Sequence, residues 1–207
     1  MSVLISLDGS SGTALNDAKV LLRNVEGGLE KAVMRSINRS LTSGKTALTK
    51  GIRKTYTVNR EALSDAISVT RASMSRLEGS VNAKGKPLSA RHFAHDPEGK
   101  STTGADRKKI RVAIYKGRGG AFKTGFAWDG GWGTGKHAIY MRTGEKIHAS
   151  KGRHSGKKYK VEKVQKVSGP SVPQMGGNEG VSESVQKRVQ EIFEKRLTHE
   201  TEFLLKK

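Results

Sequence analysis

Apolar residues recur every three or four positions between Leu29 and Ile52, and this pattern constrains the fold more than any other feature of the sequence. The spacing matches the period of an α-helix and predicts one apolar stripe over about seven turns. The other side of this helix is basic, from Lys31 to Lys54, and is either a binding surface or a solvated face. Gly44 lies inside the pattern and predicts a kink or a break.

A second apolar stripe at helical spacing runs from Glu179 to Lys206, and shorter helices are predicted over Asn16–Val25 and Arg60–Ile67. Between these helices, apolar and polar residues alternate in short runs, which is typical of half-buried strands in an antiparallel sheet. The predicted strands are Val3–Leu7, Ile67–Ala72, Leu77–Ala83, Ile110–Tyr115, Ala138–Met141 and Val161–Val167. The sequence therefore predicts an α+β protein whose two long amphipathic helices pack on an antiparallel sheet or small barrel.

The length of 207 residues suits a single domain, 1–207, in three parts. Residues 25–70 are predicted to be helical, 71–168 to be basic and rich in strands, and 176–207 to form the C-terminal helix. Two loops are expected in the middle part, Asp96–Asp106 and the glycine-rich Lys116–Lys136. Gly169–Pro173 is expected to be a stiff extended connector, because each proline biases its predecessor away from helix.

The charge indicates a polyanionic or acidic partner. The net charge is +20, and residues 84–166 hold 21 Lys and Arg against 6 Asp and Glu. A fold with this charge repels itself, and phosphates are the commonest compensation because each neutralised phosphate releases a counterion. Hydrophobic residues make up 34% of the chain, so we also expect part of its surface to be buried only by partners.

No pattern indicates an enzyme, a cofactor or a metal. The chain has no cysteine. Gly130–Lys136 matches the G-x-x-x-x-G-K phosphate-loop pattern, but His137 stands where Ser or Thr must hold magnesium, so we interpret it as a chance match. His92 and His95 lack a third ligand at a zinc-site spacing. No apolar run is long enough to predict a membrane span.

Two sets of residues in the middle of the chain are candidates for binding. Basic residues that could hold DNA through phosphates, or face an acidic partner, are Arg107, Lys108, Lys109, Arg111, Arg118, Lys123, Lys151, Arg153, Lys157 and Lys158. Aromatic residues between glycines indicate either base stacking or, as we prefer, a subunit interface, and these are Phe122, Phe126, Trp128 and Trp132.

Four segments in order resemble the minor tail protein Z family of phages and prophages, also called tail-completion proteins. They are the helix Leu29–Ser40 with its Ile-Asn-Arg signature, Lys86-Pro87-Leu88 before Phe93, Ala121-Phe122 with Tyr140–Gly144, and Gly169–Met175 before a terminal helix. The resemblance covers about residues 25–205.

The resemblance implies a non-enzymatic virion protein at the head-proximal end of the tail, assembled in the host cytoplasm. It implies that the protein supports tail assembly, head–tail joining and DNA passage. The implied partners are further copies in a ring, commonly hexameric, other tail and neck proteins such as the tail terminator and tail tube, and genomic DNA. The alternative is a sequence-independent nucleic-acid-binding protein outside the virion.

Overall fold

The computed structural model describes residues 3–8, 13–96, 110–122, 125–128, 138–149, 155–156 and 158–206. Within these ranges the chain forms five α-helices and nine strands, which confirms the predicted α+β class. The helices are α1 (Thr13–Leu21), α2 (Gly28–Thr55), α3 (Arg60–Ala66), α4 (Val172–Gly176) and α5 (Glu179–Leu205). The strands are β1 (Val3–Asp8), β2 (Ile67–Thr70), β3 (Glu78–Ala83), β4 (Ala94–Asp96), β5 (Ile110–Tyr115), β6 (Arg118–Phe122), β7 (Gly125–Trp128), β8 (Ala138–Ile147) and β9 (Val161–Lys166).

The chain divides into two compact units. The first comprises Met1–Lys54, Arg60–Lys86 and Ser171–Lys207, and the second comprises Thr55–Asn59 and Pro87–Pro170. These boundaries differ from the three predicted parts, because 71–86 belongs with the helices of the first unit. That the whole chain is one domain stays a prediction.

Helix α2 lies at the centre of the first unit, between a sheet and α5. Its predicted apolar stripe is buried, and Ile37, Leu41, Leu48 and Ile52 are fully inaccessible to solvent. Of the kink or break predicted at Gly44, the break is wrong, since α2 continues through this residue without interruption. A Cβ atom built on Gly44 would lie 2.7 Å from Val189 Cγ2 of α5, so the glycine serves close helix packing.

A three-stranded antiparallel sheet in the order β1-β3-β2 covers another side of α2. In β3, Gly79, Val81 and Ala83 alternate toward the buried face, as the two-residue period of a strand requires. A Cβ atom on Gly79 would clash with Leu41 Cδ1. The backbone of β3 therefore approaches α2 closely at this glycine.

The predicted extended connector Gly169–Pro173 is wrong in its second half, because helix α4 begins at Val172. Ser171 caps this helix in a capping box with Gln174: its Oγ accepts from the Gln174 backbone N–H, and its own N–H donates to Gln174 Oε1 at 2.8 Å. Pro173 falls in the first turn, where a missing N–H removes no helical hydrogen bond.

The second unit contains two three-stranded antiparallel sheets, in the orders β4-β5-β6 and β7-β8-β9. Its buried apolar residues are Tyr56, Val58, Ala90, Phe93, Ile110, Val112, Ala127 and Ile139. The expectation that Lys116–Lys136 forms a loop is wrong for β6 and β7, whose backbones are strands. Gly117, with φ at 74°, takes the left-handed conformation in the turn between β5 and β6. The segments 123–124 and 129–137, including the phosphate-loop match, lie outside the described residues.

Candidate polyanion-binding groove

A groove with cationic walls runs along the exposed face of α2, within the first unit. It consists of three adjoining hollows with volumes of about 410, 400 and 320 Å³. Thr42 lines all three hollows, and Arg39 and Arg196 line two of them. Because the hollows share these residues, we treat them as one feature, the basic groove.

The first wall of the basic groove is the polar face of α2. Its residues follow one another at helical spacing, so the same amphipathic pattern that buries Ile37 and Leu41 also aligns the wall. They are Arg35, Arg39, Thr42, Ser43, Lys45, Thr46, Ala47, Thr49, Lys50 and Arg53.

The second wall is α5, which contributes Arg188, Ile192, Arg196 and Glu200 at intervals of four residues. Two contacts show that α5 runs antiparallel to α2: Gly44 meets Val189, and a Cβ atom on Gly51 would lie 3.1 Å from Val181 Cγ1. The two glycines let the helix backbones approach, which brings the cations of both walls to one groove.

Arg60 and Ser64 of α3 line one end of the groove, and Arg71, which follows β2, lines the other. Asn38 of α2 ties the segment after β2 to the helix with two hydrogen bonds. Its Nδ2 donates to the carbonyl of Ala72 at 3.1 Å, and its Oδ1 accepts from the Ala72 N–H at 2.9 Å. Asn38 therefore positions the backbone next to Arg71.

Among the described residues, the lining of the groove carries nine cations and one carboxylate, Glu200. Glu200 pairs with Arg35 at 3.2 Å, and Arg188 pairs with Glu191 outside the lining at 3.4 Å. In the described part of the chain, no carboxylate lies within 4.0 Å of the other seven, which are Arg39, Lys45, Lys50, Arg53, Arg60, Arg71 and Arg196. Like charges that line the same groove repel one another, so an anion in the groove is favoured.

The remaining polar groups of the groove offer little acid–base chemistry. The hydroxyls of Thr42, Thr46 and Thr49 each donate to the carbonyl four residues earlier in α2. The described lining contains no histidine and no aromatic residue. The donors that remain for an anion are the guanidinium and ammonium groups and the hydroxyls of Ser43 and Ser64, and the cations suit electrostatic binding of an anion.

Most basic residues predicted as a site lie outside the described residues, namely Arg107, Lys108, Lys109, Lys123, Lys151, Arg153 and Lys157. Arg111 on β5, Arg118 on β6 and Lys158 are exposed residues of the second unit. Arg118 pairs with Tyr115, and a register shift in the ladder separates this pair from the pair of Arg111 with Ala121. Their binding role stays a prediction.

The predicted interface aromatics are only partly described. Trp132 lies outside the described residues, and Phe122 and Trp128 are described by their backbone alone, in β6 and β7. Phe126 is half-buried and stacks on Tyr140, with ring centroids 6.0 Å apart, while Arg142 lies 5.3 Å above its ring. Phe126 thus has partners within its own sheet, and its role at a subunit interface stays a prediction.

The predicted site residues left out the basic groove. The helical period of α2 does place Arg35, Arg39, Lys50 and Arg53 on one face, so the first wall had a signal in the sequence. The second wall had none, because α5 lies more than a hundred residues away in the chain and its pairing with α2 is a tertiary contact.

Two kinds of site are absent from the described residues. No three of their His, Asp and Glu side chains are grouped so that they could hold a metal ion. None of their helices is both long enough and apolar enough to cross a bilayer.

The chain matches no protein-family model, no curated protein and no solved structure.

Proposed function

We propose that this protein is a non-enzymatic structural component of a tailed bacteriophage or prophage, of the minor tail or tail-completion kind. It acts at the head-proximal end of the tail, where it supports tail assembly, head–tail joining and DNA passage. Its partners are further copies in a ring, neighbouring tail and neck proteins, and DNA held by its phosphates.

The observation that carries the proposal is the basic groove, where seven cations have no carboxylate within 4.0 Å among the described residues. A groove of this kind holds a polyanion by charge, without reading base sequence. A channel through which any genome sequence must pass needs the same property. The resemblance of Leu29–Ser40 and Gly169–Met175 to tail-completion proteins supports the virion as the place where this binding is used.

The virion role is tested on gradient-purified particles from a host that carries this gene. Mass spectrometry should detect the chain in intact particles, and antibody labelling should place it where head and tail meet. If the chain is absent from particles but binds DNA when purified, the virion role is wrong. That result would favour the alternative of a sequence-independent nucleic-acid-binding protein outside the virion, which the groove supports equally.

A further inference from the structure

The basic groove concentrates arginine, although the chain as a whole favours lysine. The chain contains 15 arginines and 24 lysines. Of the 13 arginines and 16 lysines among the described residues, the groove lining holds seven arginines and only two lysines, Lys45 and Lys50. A surface that only keeps the protein soluble does not require arginine in preference to lysine. The planar guanidinium donates two parallel hydrogen bonds to one phosphate, whereas an ammonium acts as a point charge.

The groove also lacks what single-stranded nucleic acid requires. Proteins that bind single strands stack bases on aromatic side chains, at about 1–3 kcal/mol per base. The described lining of the groove has no aromatic side chain, and its apolar members are Ala47 and Ile192. A strand with unpaired bases therefore gains contacts only through its phosphates here.

The arrangement of the cations suits a stiff partner. Arg35 and Arg53 are 18 residues apart on one helix, which is about 27 Å at 1.5 Å per residue. This length corresponds to roughly eight base-pair steps of duplex at 3.4 Å per step. Because α2 and α5 are continuous helices joined by buried contacts, the backbone positions of the cations on both walls are fixed relative to one another. A duplex also holds its phosphates at fixed, regular positions, so it matches this arrangement.

We infer that the basic groove is a binding site for the phosphate backbone of duplex DNA, with Arg39 of α2 and Arg196 of α5 as its central contacts. This inference rests on the DNA contact in the proposed function and names its substrate. The duplex binds without regard to base sequence, and single strands of equal length bind more weakly.

The experiment measures anisotropy of labelled 24-base-pair duplexes and 24-nucleotide single strands with the full chain, over a range of salt concentrations. We expect at least about tenfold tighter binding of the duplex, since stacking contributes nothing here. Two duplexes of unrelated sequence should bind equally. Polyglutamate is added as a competitor at the same concentration of negative charge. It should displace the duplex poorly, because its carboxylates lack the regular spacing of the duplex phosphates.

The double variant Arg39→Gln/Arg196→Gln tests whether the groove is the site at which DNA binds. Losing two phosphate contacts should make the slope of log affinity against log salt shallower by about 1.8. The matched control is Lys187→Gln/Lys195→Gln, which removes the same charge from exposed positions of α5 outside the groove lining and should leave most of the slope. Circular dichroism melting checks that both variants fold.

Three results would overturn the inference. Equal or tighter binding of the single strand would refute the duplex while keeping a DNA contact at the groove. Efficient displacement by polyglutamate would instead indicate an acidic protein partner. Equal slopes for the groove variant and its control would remove the groove from DNA binding altogether. None of these results bears on whether the chain is present in particles, so the virion role is judged separately.

Discussion

Asn38 links helix α2 to one end of the groove, because its side chain binds the backbone of Ala72 next to Arg71. Its amide is half-buried and satisfies both the N–H and the carbonyl of Ala72, which is itself 7% exposed. A buried backbone group that loses its partner costs more than the hydrogen bond was worth, because water does not replace that partner. The identity of Asn38 therefore matters for stability and for the place of Arg71.

Replacing Asn38 by leucine should lower the free energy of unfolding by about 1–3 kcal/mol, measured by urea titration. The variant removes no cation, yet its duplex salt slope should become shallower by up to about 0.9, because Arg71 is no longer held at the groove. Asn82→Ala is the control, since its amide bonds only the hydroxyls of Thr70 and Ser80. An unchanged salt slope in Asn38→Leu would contradict the positioning role.

Glu200 is the one carboxylate in the groove lining, and it neutralises Arg35. Glu200→Gln should free this guanidinium for phosphate and raise duplex affinity about two- to fivefold, as measured by anisotropy. Glu183→Gln removes the same charge from an exposed position of α5 with no ion pair among the described residues, and should change affinity less. Equal gains in both variants would mean that only net charge matters.

At the scale of elements, the helices were predictable where burial follows a period. The stripe from Leu29 to Ile52 predicted α2, and the stripe from Glu179 to Lys206 predicted α5. Both predictions were possible because the buried residues of an amphipathic helix recur at the helical period. Helix α4 was missed because Pro170 and Pro173 suggested an extended connector, although proline is tolerated in a first turn. Strands β6 and β7 were missed because glycines hid their alternation.

The pairing of the two long helices makes Gly44 a test of packing. Gly44→Ala gains helix propensity worth about 1 kcal/mol, but its methyl would stand 2.7 Å from Val189 Cγ2, and overpacking costs about 1–3 kcal/mol. We expect a net lower melting temperature in calorimetry. Adding Val189→Ala should recover stability, with a favourable coupling of at least about 0.5 kcal/mol in the double-mutant cycle.

Gly180→Ala is the control of opposite sign, because only Asn178 Oδ1 lies near its added methyl, at 3.8 Å. This variant should stabilise the chain by about 0.4–1 kcal/mol. A Gly44→Ala variant that is also stabilised would show that α5 does not approach α2 as closely as described.

At the scale of the molecule, the net charge of +20 predicted an anionic partner but did not locate the groove. Counting charge along the chain drew attention to residues 84–166, where most of the surplus lies. The groove instead forms where α2, α3, α5 and Arg71 meet, from positions far apart in the sequence. Local charge density did not indicate the groove, because the fold and not the chain order sets which cations share a surface.

The surplus charge predicts two opposite responses of stability to salt. Sodium chloride alone should raise the melting temperature of the free protein, because it screens repulsion among the cations. Duplex at a hundredfold excess over its dissociation constant should add about 2.7 kcal/mol, or roughly 5–10 °C, and salt should reduce this increment. Arg39→Gln/Arg196→Gln should keep the first response and lose most of the second in scanning fluorimetry. An undiminished duplex increment in this variant would contradict binding at the groove.

In sequence, the first wall of the groove precedes the second unit and the second wall follows it, so the ribosome synthesises the two walls at different times. A ribosome completes α2 early and makes α5 only after every residue of the second unit. A nascent chain that lacks α5 therefore carries only the first wall of the groove, and the second wall exists only once synthesis has passed Glu200. The proposed duplex site therefore depends on α5, and a chain truncated before this helix should lack the second wall of the groove.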